Sequence, residues 1–224
     1  ITDYIARRGR SSISFQYRHN AGQETRIDPS VSNIVDIYML ERTYDNLFRV
    51  WLQDGGSKPD ASTSDQLRIS YSGTLNPLKS LSDQIVYHPV KYKILFGSNA
   101  DEELQATFKV VKNTKTNITD AVVKTRVIAA INEFFALDNW DFGDAFYFTE
   151  LAAYVHNQLA PDLLTAVIVP TQAGQTFGSL FQINSAADEI FISGATVDDV
   201  SIITALGANQ LAASGSAVTS TSTA

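Results

Sequence analysis

Tyr44, Leu47, Phe48, Trp51 and Leu52 fall at i, i+3, i+4, i+7 and i+8, a spacing that gathers all five on one stripe of an α-helix. Gly55-Gly56 directly behind them ends that helix. On either side the period drops to two. Ile34 to Leu40 is rich in Ile, Val and Tyr and follows the turn-forming Asp28-Pro29-Ser30, which reads as a buried strand. Val90, Tyr92, Ile94 and Phe96 alternate with Lys91 and Lys93, the pattern of a half-buried strand. Ile13, Phe15 and Tyr17 alternate in the same way. A chain that switches between these two periods is committed to laying helices on sheet.

The remaining punctuation fits that plan. Ser57 to Ser64 reads as an exposed loop, and a helical segment from Asp65 through Leu81 is interrupted around Gly73 and Pro77. Leu104, Ala106, Phe108 and Val110 alternate as a hairpin partner of the preceding strand, with a helix still open there. Thr119 is placed to cap a helix carrying Val123, Val127, Ala130, Ile131 and Phe134. Thr149 is placed to cap another with Leu151, Tyr154, Val155 and Leu159, stopped by Pro161, and the strand Thr165 to Val169 follows. The order suits an α+β sandwich with helices on a mixed or antiparallel sheet, ferredoxin-like as first choice, with the Tyr44 and Val127 stripes in one core. Shorter strands are expected at Leu180 to Ile183, Glu189 to Ile192 and Val200 to Thr204. The expected divisions are an N-terminal segment 1–33 continuing from a missing upstream region, an α+β core 34–170, a β-rich appendage 171–211 and a flexible Ala/Ser/Thr tail 212–224.

Composition narrows the function. The chain of 224 residues has no cysteine, which removes disulfides, thiolate catalysis and Cys-based metal sites. A net charge of −7 argues against nucleic acid as ligand, since phosphate neutralisation needs clustered Lys and Arg. The cluster Arg7, Arg8 and Arg10 reads as a solvated terminus. No apolar run approaches the roughly 18–20 residues of a membrane helix.

The densest stretch runs from Trp140 to Asp199, yet it brings together no nucleophile, base and orienting partner. Asp138, Asp141, Asp144 and Glu150 invite a calcium or glycosidase reading. With Gly143 at the glycine position of a calcium loop, two ligand positions fall on Trp140 and Phe142, whose side chains donate no oxygen. A solvated acidic turn, with Gly143 supplying an unusual backbone conformation, accounts for the residues better. His19, His88 and His156 lie in no ligand-spaced pattern, and neither a GxSxG elbow nor a GxxxxGK[ST] loop is present. The expectation is no enzyme: no catalytic, cofactor-binding or metal residues. Trp140, Phe142, Phe146 and Phe148 crowd around Gly143 with flanking acids, the makeup of an interface anchor with a polar rim. Core burial is the rival account of each.

Five strings carry a resemblance. Asn139-Trp140-Asp141-Phe142-Gly143-Asp144 with the strand ending Val167-Ile168-Val169-Pro170, Asp188 to Asp199 (DEIFISGATVDD), Arg26 to Leu40 and Ser82 to Gly97 resemble the C-terminal region of the T-even-type baseplate wedge proteins, within the baseplate J-like family of contractile-tailed bacteriophages. The resemblance implies a structural subunit that self-associates as a homodimer and in a higher ring around the tail hub. It implies partners among other wedge subunits and sheath-initiating proteins, with neither nucleic acid nor membrane. The implied location is the virion's tail baseplate, after assembly in the host bacterial cytoplasm, and the implied role is relaying the rearrangement that triggers sheath contraction. A carbohydrate-binding or carbohydrate-active tail module is the alternative, resting on Trp140 and Tyr147 beside Asp141 and Asp144 as sugar-stacking rings.

Overall fold

The computed structural model describes residues 34–75, 84–171, 182–204 and 206. The strand expected over Ile13 to Tyr17, the arginine cluster, His19 and the tail 212–224 lie outside them. The described elements are β1 (Ile34–Met39), α1 (Arg42–Asp54), α2 (Ser64–Leu75), β2 (Gln84–Pro89), β3 (Lys91–Leu95), β4 (Ala106–Lys112), α3 (Asp120–Phe134), β5 (Ala145–Tyr147), α4 (Phe148–Leu159), β6 (Leu163–Pro170), β7 (Gln182–Asn184), β8 (Glu189–Ser193) and β9 (Val200–Ile203). The class is mixed α+β, as the alternating periods require. Among the described residues the strands pair as β1-β2, β3-β8, β6-β4-β9 and β5-β7, a pairing that does not confirm a ferredoxin-like arrangement.

Two compact units emerge. The first takes the described residues of Ile1–Lys91, Trp140–Asp144 and Ser185–Ile190, and the second those of Tyr92–Asn139, Ala145–Asn184 and Phe191–Ala224. The Tyr44 and Val127 stripes, expected in one core, therefore belong to different units.

In the first unit β1 runs parallel to β2 with Asp36 level with Val86 and Tyr38 level with His88. That register brings His88 Nε2 to 2.9 Å from Asp36 Oδ1 and stacks the His88 ring on Tyr38 at 4.8 Å. Met39, Leu67, Ile85 and Tyr87 form a core, with Ile37 and Tyr71 against it. α1 ends at Gly55, whose φ of 75° lets its N–H close back on the Trp51 carbonyl. Of its stripe only Tyr44 and Phe48 are buried. Leu47, at the margin, is 54% exposed. The loop behind α1 still touches it: Trp51 Nε1 donates to the Gly56 carbonyl, and the Lys58 ammonium sits 5.8 and 5.7 Å from the Phe48 and Trp51 ring centres. α2 begins with a reciprocal cap, Gln66 N–H donating to Thr63 Oγ1 and Thr63 N–H to Gln66 Oε1, and it continues through Gly73 to Leu75.

In the second unit β4 is the central strand, antiparallel to β6 and parallel to β9. Ala106 to Val110 are buried on both faces, as a central strand requires. β4 was expected as a hairpin partner of β3, but β3 pairs with β8 instead. Local alternation identifies a strand without naming its neighbour. Likewise β7 and β9, expected in an appendage, pair with β5 and β4. α3 starts as expected, Thr119 Oγ1 accepting from Val122 N–H, and buries Val123, Val127, Ala130 and Ile131. α4 starts earlier than expected: Tyr147 is the capping position, with no side-chain bond, and Thr149 lies in the first turn.

Candidate functional site

The acidic turn is the first place to look for chemistry, and its carboxylates are occupied with backbone. Asp141 N–H donates to Asp144 Oδ2 at 2.6 Å, and Phe142 N–H donates to Asp141 Oδ1 at 3.1 Å. Gly143 adopts φ 75°, an unusual backbone conformation of the kind expected there, and its N–H donates to the Glu189 carbonyl. The Asp144 carbonyl accepts from both Ser185 N–H and Ser185 Oγ. Glu189 closes its own turn by accepting Ala186 N–H on Oε2 while donating its N–H to the Ala186 carbonyl. Lys91 N–H donates to the Asp188 carbonyl. Three of the five family-like strings, from residues 82–97, 139–144 and 188–199, thus meet through backbone hydrogen bonds. The Asp141, Asp144 and Glu189 carboxylates satisfy turn N–H groups that would otherwise lack acceptors. Asp138 and Glu150 are exposed, Glu150 in the first turn of α4 where its charge complements the helix dipole.

The aromatic residues take a different part from the one expected. Phe146 is fully buried and Phe148 nearly so. Phe146 lies edge-on to Phe148 at 4.9 Å and tilted to Phe135 at 5.4 Å, with Phe96, Phe134 and Phe191 at 5.9–6.2 Å. These offset, tilted geometries are the favoured ones for aromatic rings. Phe96 is the second hub, meeting Phe108 at 5.0 Å and also Phe135 and Phe148. It holds φ 66°, a strained value for a bulky residue. Gly97 beside it has φ 71°, and a Cβ there would run into the Gly194 carbonyl.

An anchor must be accessible before its partner arrives, and neither Phe146 nor Phe148 is. Trp140 retains 7% of its surface, so it offers no ring face to a sugar. Phe142 is half-buried, and Tyr147 is 39% exposed. The exposed large apolar groups are elsewhere: Leu47, Val50 and Ile69 in the first unit, and Val122, Leu164 and Val197 in the second. Sequence reasoning assigned Leu47 to the core, and no local signal set the others apart.

Of the two described histidines, His88 bonds to Asp36, and His156 Nδ1 is buried with no hydrogen-bond partner among the described residues. Two hydroxyls titrate above their ordinary range, Tyr87 through burial, opposed by Arg68, and Tyr154 through burial reinforced by Glu133. Among the described residues, no group of three or more His, Cys, Asp or Glu side chains is placed to hold a metal ion. No described helix is long and apolar enough to cross a membrane. The chain matches no protein-family model, and comparison with curated proteins finds no significant match.

Proposed function

We propose that this chain is a structural subunit of a contractile phage tail baseplate wedge. In this reading it joins further copies and other wedge subunits in a ring around the tail hub, and shifts in that ring trigger sheath contraction. The observation that carries the proposal is the convergence of the family-like strings. Segments from residues 82–97, 139–144 and 188–199, far apart in the chain, bond to one another through Lys91, Gly143, Asp188 and Glu189. A resemblance confined to one local phrase has no reason to do this. The reading also agrees with where the polar groups go, since Asp141, Asp144 and Glu189 hold turns together. A part that transmits force needs rigid turns and broad contact surfaces rather than a pocket.

The test is to raise antibody fragments against the chain and image them on intact tails from the same source by electron microscopy. Labels in a ring at the baseplate support the proposal. Labels confined to fibres, sheath or capsid, or tails that lack the chain by mass spectrometry, overturn it. Binding on a glycan array without baseplate labelling would return the carbohydrate module to first place.

A further inference from the structure

Asp54-Gly55 is the only Asp-Gly pair in the 224 residues, and the chain has no Asn-Gly pair. Both residues are exposed, and the Asp54 side chain makes no hydrogen bond or ion pair among the described residues. An aspartate followed by glycine carries an electrophile and a nucleophile of its own. The side-chain carbonyl carbon and the next peptide nitrogen close a five-membered ring, and glycine puts no side chain in the way.

The fold works against that ring. Asp54 is the last residue of α1, and a helical ψ turns the Gly55 nitrogen away from the Asp54 side chain. The Gly55 N–H is also committed, donating to the Trp51 carbonyl at 2.9 Å while Gly55 holds φ 75°. The residues behind it tie down the same turn. Trp51 Nε1 donates to the Gly56 carbonyl at 3.1 Å, and the Lys58 ammonium stands 5.7 Å from the Trp51 ring centre. Residues 55–58 are exposed throughout, so these contacts are of the weak, solvent-facing kind. A helix end held this way opens far more often than the whole fold does.

We propose that Asp54 is the site of spontaneous isoaspartate formation in this chain, and that the strap of residues 55–58 sets its rate by holding the last turn of α1 closed. When the turn opens, the Gly55 peptide nitrogen bonds to Asp54 Cγ. The Cγ–OH bond breaks, and the hydroxyl leaves with the nitrogen's proton as water. Water then reopens the ring. Cleavage between the ring nitrogen and the Asp54 backbone carbonyl carbon routes the main chain through Cβ and Cγ, and cleavage on the other side restores aspartate. Only water is exchanged. The isoaspartate product carries one extra methylene in the backbone ahead of Gly55, which takes the Gly55 N–H out of register with the Trp51 carbonyl and abolishes the α1 cap. None of this depends on the chain being a tail protein.

The experiment incubates the whole chain in warm neutral buffer, folded and in parallel unfolded in urea, and locates isoaspartate by electron-transfer mass spectrometry of its peptides. Isoaspartate should appear first at position 54, and at least about tenfold more slowly in the folded chain than in the unfolded one. Trp51→Phe keeps a ring but deletes the donor to Gly56, and it should accelerate the folded chain at least about twofold, the worth of one net hydrogen bond. Lys58→Met should accelerate it in the same direction, and, being an exposed substitution, it decides the matter if Trp51→Phe fails to fold by circular dichroism. Asp54→Glu, whose longer side chain disfavours ring closure, should remove the signal. Isoaspartate that appears first elsewhere or not at all overturns the proposal. So do equal rates in folded and unfolded chains, folded variants that keep the wild-type rate, and a signal that survives Asp54→Glu.

Discussion

Phe146 and Leu47 reversed the places that their sequence surroundings suggested. Phe146 lies in a crowd of aromatics flanked by acids, the look of an interface anchor, yet it is fully buried among five other phenylalanine rings. Leu47 lies on a helical stripe, the look of core, yet 54% of it is exposed. Aromatic density in a short span marks a core whenever distant segments contribute rings. Here Phe96, Phe135 and Phe191 do so, and none is a sequence neighbour of Phe146. A stripe is conversely no wider than the surface it packs on, so α1 buries Tyr44 and Phe48 and leaves the margin to solvent.

The sharpest way to break that contrast is truncation. Phe146→Ala should cost about 3–5 kcal/mol in urea denaturation, whereas Leu47→Ala should stay within about 0.5 kcal/mol. Phe146→Asp, which buries a charge in the same place, should abolish the cooperative transition. A near-neutral Phe146→Ala would restore the anchor reading. The glycines give the next contrast. Gly55→Ala meets nothing within 4 Å, so it should cost only the roughly 1–3 kcal/mol of a backbone conformation that belongs essentially to glycine. Gly97→Ala carries that strain and also a collision with Gly194. It should lower the melting temperature visibly further, and equal shifts for the two would mean that β3 and β8 separate easily there.

Capping separates Thr119 from Thr149. Thr119→Ala removes the acceptor for Val122 N–H and should cost about 1 kcal/mol. Thr149→Ala removes no cap and should be close to neutral in the same titration. The smallest effect is alkaline. Burial raises the Tyr87 pKa above its ordinary 10.0, so the folded chain keeps a proton that the unfolded chain releases. Stability is complete below pH 10 and declines as the pH climbs from there through the folded value. Tyr87→Phe should flatten that decline in melts collected across the range, and an unchanged slope would assign it to other groups.

The features legible in the sequence were those set within one turn of chain. Thr119 and its stripe, Gly55 as a helix stop, Gly143 in a turn of unusual backbone conformation and the strands near 34–40, 189–192 and 200–204 all follow from local spacing. The cap at Thr63 and Gln66 is equally legible as T-x-x-Q. Strand partners were not legible, because β4 carries the same alternation whether it pairs with β3 or with β6 and β9. The burial of Phe146 and Phe148 was not legible for a related reason: a ring seeking a partner chain and a ring seeking a distant part of its own chain present one pattern.

The position of β9 has a consequence for synthesis. β4 is buried on both faces, but one of its two partners is drawn from residues 200–203. A nascent chain emerging from the ribosome would carry β4, α3 and α4 for some time with one flank of the central strand open. Long-range parallel pairing of this kind is slow to form and exposes apolar surface while it waits. A cell that translates this message quickly, or a truncation that removes β9, would leave an aggregation-prone intermediate, and chaperone demand should track the interval before β9 is made.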